Sequence, residues 1–196
     1  MLNRILTAVL FLAIMGLLIA QRFLEMPAEM IVTVADVQGI STIAVGDELR
    51  RGQVIETDDK FLKLAIADKT FLWLAPNTRI QLHRLFQDEL TIRFTKGRIV
   101  VDNQAEVPLR LETNFTSNLV QGDLATFVNY DFLETIHVIL ISGSVQVSVG
   151  ETGEQLVTPS PLSIHETDPV TFEKLEVNLA AGDSADFYSW AGILTK

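Results

Sequence analysis

The chain has 196 residues, no cysteine and a formal net charge of −10, and 48% of its residues are hydrophobic. This length suffices for one domain with a core of its own. The absence of cysteine excludes disulfide bonds and a lipid-anchored cysteine. The acidic balance argues against a nucleic-acid-binding protein, which would present a basic face. We interpret it as an ordinary solvated surface, with capture of a basic partner as the alternative.

The first predicted element is an apolar segment, Ile5–Ala20, in which Thr7 is the only polar residue. Arg4 precedes it and Arg22 follows it. A membrane-spanning helix needs about 20 apolar residues, with a lower limit near 17, and the segment reaches that limit when its uncharged neighbours are counted. We therefore predict a signal anchor over residues 1–22, which holds the chain in a membrane through residues 5–20, and a juxtamembrane spacer over 23–30.

Two alternatives remain for this segment: a cleaved signal peptide and a buried core helix. Cleavage needs small side chains at the site and two places before it. Ala20 satisfies the first condition, but Leu18 fails the second, so we expect the segment to be retained. Positive charge favours the cytoplasmic side of a membrane. Because the α-amino group and Arg4 precede the helix and only Arg22 follows it, we expect the remainder of the chain to lie outside.

From Ile31 onward the sequence alternates between apolar and polar residues, which is typical of strands with one buried and one exposed face. Turn signals such as Lys96-Gly97 and Ser142-Gly143 end the predicted strands at short intervals, as expected for a sandwich, barrel or β-solenoid. We predict an all-β domain of short, stacked antiparallel strands over residues 31–183. The apolar positions are Leu62, Leu64, Ile66, Ile80, Leu82, Leu90, Ile92, Phe94, Ile136, Val138, Leu140, Val145, Val147 and Val149.

The C-terminal segment, residues 184–196, is rich in aromatic side chains. Phe187 and Trp190 follow Ser184 at intervals of three, which predicts a short helix that Ser184 can cap. Such a segment can pack on the β domain and close an exposed edge or end. Alternatively, Phe187, Tyr188 and Trp190 form a partner-docking site.

No arrangement of residues predicts a catalytic, cofactor or metal site. His83, His137 and His165 are far apart in the sequence, whereas zinc needs converging ligands. Asp58-Asp59 fits a turn and lacks the spaced oxygen ligands of a calcium loop. No G-x-S-x-G elbow or glycine-rich phosphate loop is present. Residues 114–116, NFT, fit a glycosylation sequon that is common by chance. An enzyme is therefore disfavoured.

Motifs in series across the β region carry a resemblance to a known family. Residues 46–57, GDELRRGQVIET, precede residues 62–80, LKLAIADKTFLWLAPNTRI. A step FTKGRIV follows at 94–100, a strand LRLET at 109–113, and the run IHVILISGSVQV at 136–147. In this order the motifs resemble the FecR domain. Asp68-Lys69 departs from its Asp-Gly turn, and residues 122–127 loosen its G-T-x-F step.

The resemblance implies a bacterial protein with one membrane helix and a periplasmic or extracellular β domain that takes part in envelope sensing or signalling. FecR-type regulators bind a sigma factor through a cytoplasmic segment and receive a signal from an outer-membrane receptor. Here the tail Met1–Arg4 is too short to bury the roughly 800 Å² that each partner of a stable interface contributes. We therefore expect no direct binding of a sigma factor, and an unidentified envelope protein as partner.

Three functions remain open on the sequence alone. The first is a non-catalytic binding or scaffold module, anchored at the cell envelope, that uses strand faces and edges. The second is a lipid-handling β-jellyroll like LptC, which requires an open, apolar interior groove. The third is an envelope enzyme, which requires a pocket with converging titratable groups.

Overall fold

The computed structural model describes residues 7, 9–18, 28–39, 43–67, 69–130, 133–149, 154–157, 161–182 and 184–194. A helix, α1, includes residues 9–18, and its apolar side chains are exposed, Leu17 to 70%. None of the helices formed by the described residues combines the length and the apolarity that a membrane crossing requires. Residues 5, 6, 8, 19 and 20 of the predicted apolar segment (5–20) and residues 23–27 of the spacer (23–30) lie outside the described residues, and the anchor stays a prediction.

The β region confirms the prediction of an all-β domain. A short helix, α2 (Ala185–Trp190), follows it. The strands are β1 (Val32–Gln38), β2 (Glu48–Leu49), β3 (Val54–Glu56), β4 (Phe61–Ile66), β5 (Thr70–Leu74), β6 (Arg79–Leu85), β7 (Leu90–Asn103), β8 (Leu109–Glu112), β9 (Thr116–Tyr130), β10 (Thr135–Val149), β11 (Glu154–Val157), β12 (Leu162–His165) and β13 (Thr171–Lys174).

These strands form one continuous sheet. Its main path runs β13-β12-β10-β9-β8-β7-β5-β4-β1-β2. On the sides of this path, β11 pairs with β10, β3 pairs with β6, and β6 pairs with β7. The ladders are antiparallel except for β7 with β8, which run parallel from Leu90↔Leu109 to Arg93↔Glu112. The parallel ladder departs from the antiparallel arrangement that the sequence predicts.

Three strands are much longer than the predicted short ones: β7 has 14 residues, and β9 and β10 have 15 each. Lys96-Gly97 and Ser142-Gly143, which we expected to end strands, instead lie inside them. Gly97 and Gly143 have positive φ angles of 101° and 82°. A left-handed glycine lets a strand bend without a steric penalty at Cβ, so the chain bends at these turn signals and continues.

Each bend shifts the alternation of buried residues by one position. In β7 the core residues are Leu90, Ile92 and Phe94 before the bend, and Ile99 and Val101 after it. Bulges change the count in this way while the same face of the strand stays inside. Since no described helix covers that face, the two halves of the sheet cover each other and enclose one core. All these residues are almost completely buried.

A buried threonine pair fixes the bend in β7. The Thr57 hydroxyl donates to the carbonyl of Ala75 at 2.6 Å and accepts from the amide of Thr78 at 2.9 Å. The Thr78 hydroxyl bridges the carbonyl and amide of Arg98, at 3.0 Å each. A Cβ on Gly97 would lie 2.5 Å from the Cα of Thr78. Thr57, Thr78 and Gly97, which belong to the FecR-like motifs, therefore meet at one point. Their contacts join β7 to the turns before β4 and β6.

Candidate partner-binding surface

The C-terminal helix α2 packs on the outer face of the sheet. Phe187 and Tyr188 are each 2% exposed and form a second apolar cluster with Trp73 and Val100. Val100 lies between core residues Ile99 and Val101, so its side chain projects from the opposite face of β7. The helix thus covers a sheet face, whereas we expected it to close an edge or end. The burial of Phe187 against the β domain is confirmed.

Aromatic stacking and one hydrogen bond fix the end of α2. The rings of Phe61 and Trp190 stack with their centroids 5.3 Å apart. The Trp190 indole Nε1 donates to Asp36 Oδ2 at 3.2 Å. Ser184 occupies the N-cap position, but its side chain makes no capping hydrogen bond, so the predicted capping interaction is absent. Packing on the sheet, rather than capping, holds this six-residue helix in place.

Two cations flank the aromatic cluster. The Lys63 ammonium lies 4.8 Å from the ring of Phe71 and 4.7 Å from that of Trp73. The Arg98 guanidinium lies 5.6 Å from the Tyr188 ring. At these distances the ring quadrupole attracts the cation. Side chains of two charged residues therefore line an otherwise apolar patch and shield it from water.

The three predicted docking residues differ in accessibility. Phe187 and Tyr188 are buried within the protein, while Trp190 is partly exposed. A partner can contact Trp190 directly, but can reach the other two only if α2 leaves the sheet. The docking role of these residues stays a prediction.

Two of the three histidines come together on the outer face. His137 lies on β10 and His165 on the neighbouring β12, and burial, followed by the charges of His165 and Arg98, lowers the pKa of His137. His165 Nδ1 lies 3.1 Å from the Thr135 hydroxyl, and its Nε2 lies 3.5 Å from Glu173 Oε2. His83 lies apart on β6. Within the described ranges, no three residues among His, Cys, Asp and Glu converge as a metal site would require.

The strand β13 presents an open edge. It pairs with β12 on one side, and no other strand of the described ranges pairs with it. The Leu175 amide donates to the Pro161 carbonyl at 3.0 Å, in continuation of this ladder. Since donors alternate along an antiparallel strand, the amides of Phe172 and Lys174 point away from β12. These two donors are available to an added strand.

Sequence reasoning missed one charged pair, Arg93 on β7 and Glu112 on β8, which the parallel ladder places side by side. The alternation of β7 and β8 places both side chains on the outer face, where Arg93 is exposed and Glu112 is half-buried. Nothing in the sequence indicates that the two strands are parallel neighbours, because they are joined by a loop after the bend in β7. The sequence signal for each member of the pair is a charged residue next to a buried apolar one: Arg93 follows Ile92, and Glu112 follows Leu111.

These features define the class of protein: an all-β domain made of one bent sheet, with an aromatic helix on its outer face and an open edge strand. The family model described as FecR protein matches residues 53–146. This part of the chain is therefore a FecR domain, as its motifs indicate.

Solved structures share this fold. Two crystal structures of a candidate anti-sigma factor from Parabacteroides distasonis, at 2.50 and 1.65 Å resolution, superpose with a TM-score of 0.53 and 16% identity. The match covers 62% of this chain and 59% of theirs, so the chain spans about three fifths of their length. At this identity the likeness shows the fold alone. No curated protein matches the chain.

Proposed function

We propose that the protein is a non-catalytic binding or scaffold module of the bacterial cell envelope, anchored in the cytoplasmic membrane with its β domain on the periplasmic or extracellular side. Its partner is an envelope protein, and its context is sensing or signalling. The FecR domain supports this context. The open edge of β13 is the observation that carries the binding role.

Binding at β13 follows the chemistry of strand addition. An extended segment of a partner gains main-chain hydrogen bonds at an open edge, and side chains on alternate positions supply specificity. The outward amides of Phe172 and Lys174 offer such bonds. Thr171 and Glu173 are exposed beside them, so a partner strand meets polar side chains on one face.

The anchor is supported by the composition of α1. Its apolar side chains, such as Phe11 and Leu12, are exposed to 64% and 68%. Burial of apolar surface from water is favourable by about 25 cal/mol per Å², and a bilayer provides that burial for a whole helix. The apolar segment Ile5–Ala20 is therefore more favourably placed in a bilayer than in water.

The filled interior of the β domain does not support the alternative of an LptC-like lipid carrier. The core residues are almost completely buried, and the small cavity beside Met30 and Ile66 has a volume of about 80 Å³. Ligand pockets usually measure about 300–1,000 Å³. An envelope enzyme finds no converging set of titratable groups in the described ranges. The absence of direct sigma-factor binding stays a prediction.

The edge is tested by replacing Lys174 with proline, which removes the outward amide while the ladder to β12 keeps its donors. The matched control is Lys174→Ala, which loses the charge and keeps the amide. We expect the tagged full chain, purified from native membranes, to lose its partner in the proline variant only. A partner retained by Lys174→Pro would refute strand addition at β13, and loss in both variants would assign the contact to the lysine charge.

A further inference from the structure

An open polar pocket lies at the end of the hairpin that joins β8 to β9. Its volume is about 420 Å³, and it is lined by residues 112–117 and by Arg93 of β7. This volume lies within the range of small-molecule sites. Phe115, at the tip of the hairpin, is 49% exposed, so the pocket combines polar walls with one accessible aromatic ring.

Opposite charges stand side by side in this pocket. Arg93 and Glu112 are register partners in the parallel ladder, and neighbouring strands lie about 4.8 Å apart. Ile92 and Leu111 beside them are buried, so both charged side chains project from the outer face. Neither makes a side-chain hydrogen bond or a close ion pair with another described residue, although the charge of Glu112 also acts on Arg84 of β6, which pairs with Glu89. A donor fork and a carboxylate are thus both available to a ligand.

Hydrogen bonds within the hairpin and to a buried carboxylate fix the hairpin that forms the wall of the pocket. The Thr113 amide donates to the Thr116 carbonyl at 3.0 Å, and the Thr116 amide donates to the Thr113 hydroxyl at 3.2 Å. The Thr116 hydroxyl donates to Oε1 of Glu166 at 2.8 Å, and the Thr113 hydroxyl bonds to the same oxygen. Glu166 is only 2% exposed. A buried carboxylate therefore holds both threonines, and Asn114 and Phe115 keep their positions between them.

We propose that this pocket binds a small zwitterion of the amino-acid type, either a free amino acid or a free dipeptide. The ligand carboxylate pairs with the Arg93 guanidinium, whose fork geometry suits carboxylates. The ligand ammonium pairs with the Glu112 carboxylate. The side chains of Asn114 and Ser117 supply further hydrogen bonds, and the Phe115 ring covers an apolar ligand side chain.

The charge balance of the pocket decides the ligand class. A purely anionic ligand would meet repulsion from Glu112, and a purely cationic one repulsion from Arg93. A small ligand that carries both charges a few bonds apart can pair with both residues. The site is distinct from the β13 edge and does not depend on the strand-addition proposal.

The test is calorimetric titration of the purified full chain in detergent micelles. The probes are L-leucine, for a free amino acid, and D-alanyl-D-alanine, for a free dipeptide. Two control probes each lack one charge: N-acetyl-L-leucine has no ammonium, and L-leucinamide has no carboxylate. We expect at least one zwitterion to bind, and each control probe to bind at least about tenfold more weakly, since a lost charge contact is commonly a tenfold effect or more.

Variants assign the binding to the two residues. Arg93→Gln and Glu112→Gln should each lower the affinity for the zwitterion at least about tenfold. Both should keep the wild-type unfolding midpoint, because neither side chain bonds within the described protein. Arg79→Gln, at an exposed arginine of β6 outside the pocket, should bind as the wild type does. The proposal is overturned if neither zwitterion binds at about 10 mM, if a control probe binds equally well, or if both pocket variants retain binding.

Discussion

At the scale of single residues, Gly97 is tightly constrained by both its backbone and its neighbours. Its φ of 101° disfavours any side chain, and a Cβ there would lie 2.5 Å from both Cα and Oγ1 of Thr78. We expect Gly97→Ala to lower the free energy of unfolding by about 2–6 kcal/mol, as the sum of backbone strain and overpacking. Urea unfolding followed by tryptophan fluorescence measures this change.

Gly46 provides a matched control for that substitution. It has a similar φ of 92°, but nothing lies within 4 Å of the place that a Cβ would occupy. Gly46→Ala should therefore cost only the strain of the left-handed backbone, about 1–2 kcal/mol. Equal losses in the two variants would show that Thr78 moves aside and that the contact does not constrain the bend.

His137 makes stability depend on pH. Burial, together with the charges of His165 and Arg98, lowers the pKa of His137 in the folded state. The unfolded chain then binds a proton more readily than the folded one, so stability falls as pH falls through the unfolded value of about 6.5. We expect the unfolding midpoint of the wild type to drop more between pH 7.5 and 5 than that of His137→Gln. Parallel pH profiles of the two proteins would contradict this assignment.

At the scale of elements, α2 depends on its contacts with the sheet. A six-residue helix is too short to persist alone, and Phe187 is one of its two buried side chains. Phe187→Ala should cost about 3–5 kcal/mol, while Ser189→Ala, at an exposed position of the same helix, should change stability by no more than about 0.5 kcal/mol. Thermal or urea midpoints provide the comparison. A neutral Phe187→Ala would mean that the sheet is stable without its cover.

Trp190 separates the packing role of α2 from a docking role. Its ring stacks on Phe61 but remains partly exposed, so Trp190→Ala should destabilise the protein less than Phe187→Ala. If Trp190 docks a partner, its removal should also lower recovery of that partner from native membranes. Unchanged recovery with a reduced unfolding midpoint would leave Trp190 with packing alone.

The sequence predicts the strands well and their connections less well. Alternation marks the buried face of β4, β6 and β7 because each residue's burial depends on its immediate neighbours. The bends within β7 and β10 are not predictable in this way, because a glycine with positive φ ends a strand in one context and bends it in another. In β7 the tight packing of Thr78 against Gly97 favours the bend.

Local sequence patterns likewise predict one part of the candidate surface and miss another. The aromatic composition around Phe187 indicates a packing segment, and its six-residue helix is confirmed. The face that it covers depends on Val100 and Trp73, which belong to strands distant in sequence. Likewise, Arg93 and Glu112 meet only because β7 and β8 pair in parallel, which no local pattern indicates.

At the scale of the whole molecule, membrane retention tests the proposed anchor. The apolar helix places Leu12 among exposed apolar side chains, and an arginine near the centre of a spanning helix costs about 2.5–3.5 kcal/mol on insertion. We expect Leu12→Arg to reduce the membrane-bound fraction, whereas Leu133→Arg, at an exposed site of the β domain, should leave it unchanged. N-terminal sequencing of the membrane fraction completes the test, and a mature chain that begins at Gln21 or later would contradict retention.

The order of strands in the sheet also determines how the molecule carries tension. Residues 28–30 lead into β1 near one end of the path, and β13 forms the other end. A pull between the N-terminal segment and a partner on β13 therefore passes through the intervening ladders in series. The ladders of β10 with β12 and of β12 with β13 contain four residue pairs each, against thirteen between β9 and β10, so we expect this hairpin to peel away first under load. Because the hairpin stays covalently joined to β10, its opening lengthens the link to the partner while the bent core stays folded.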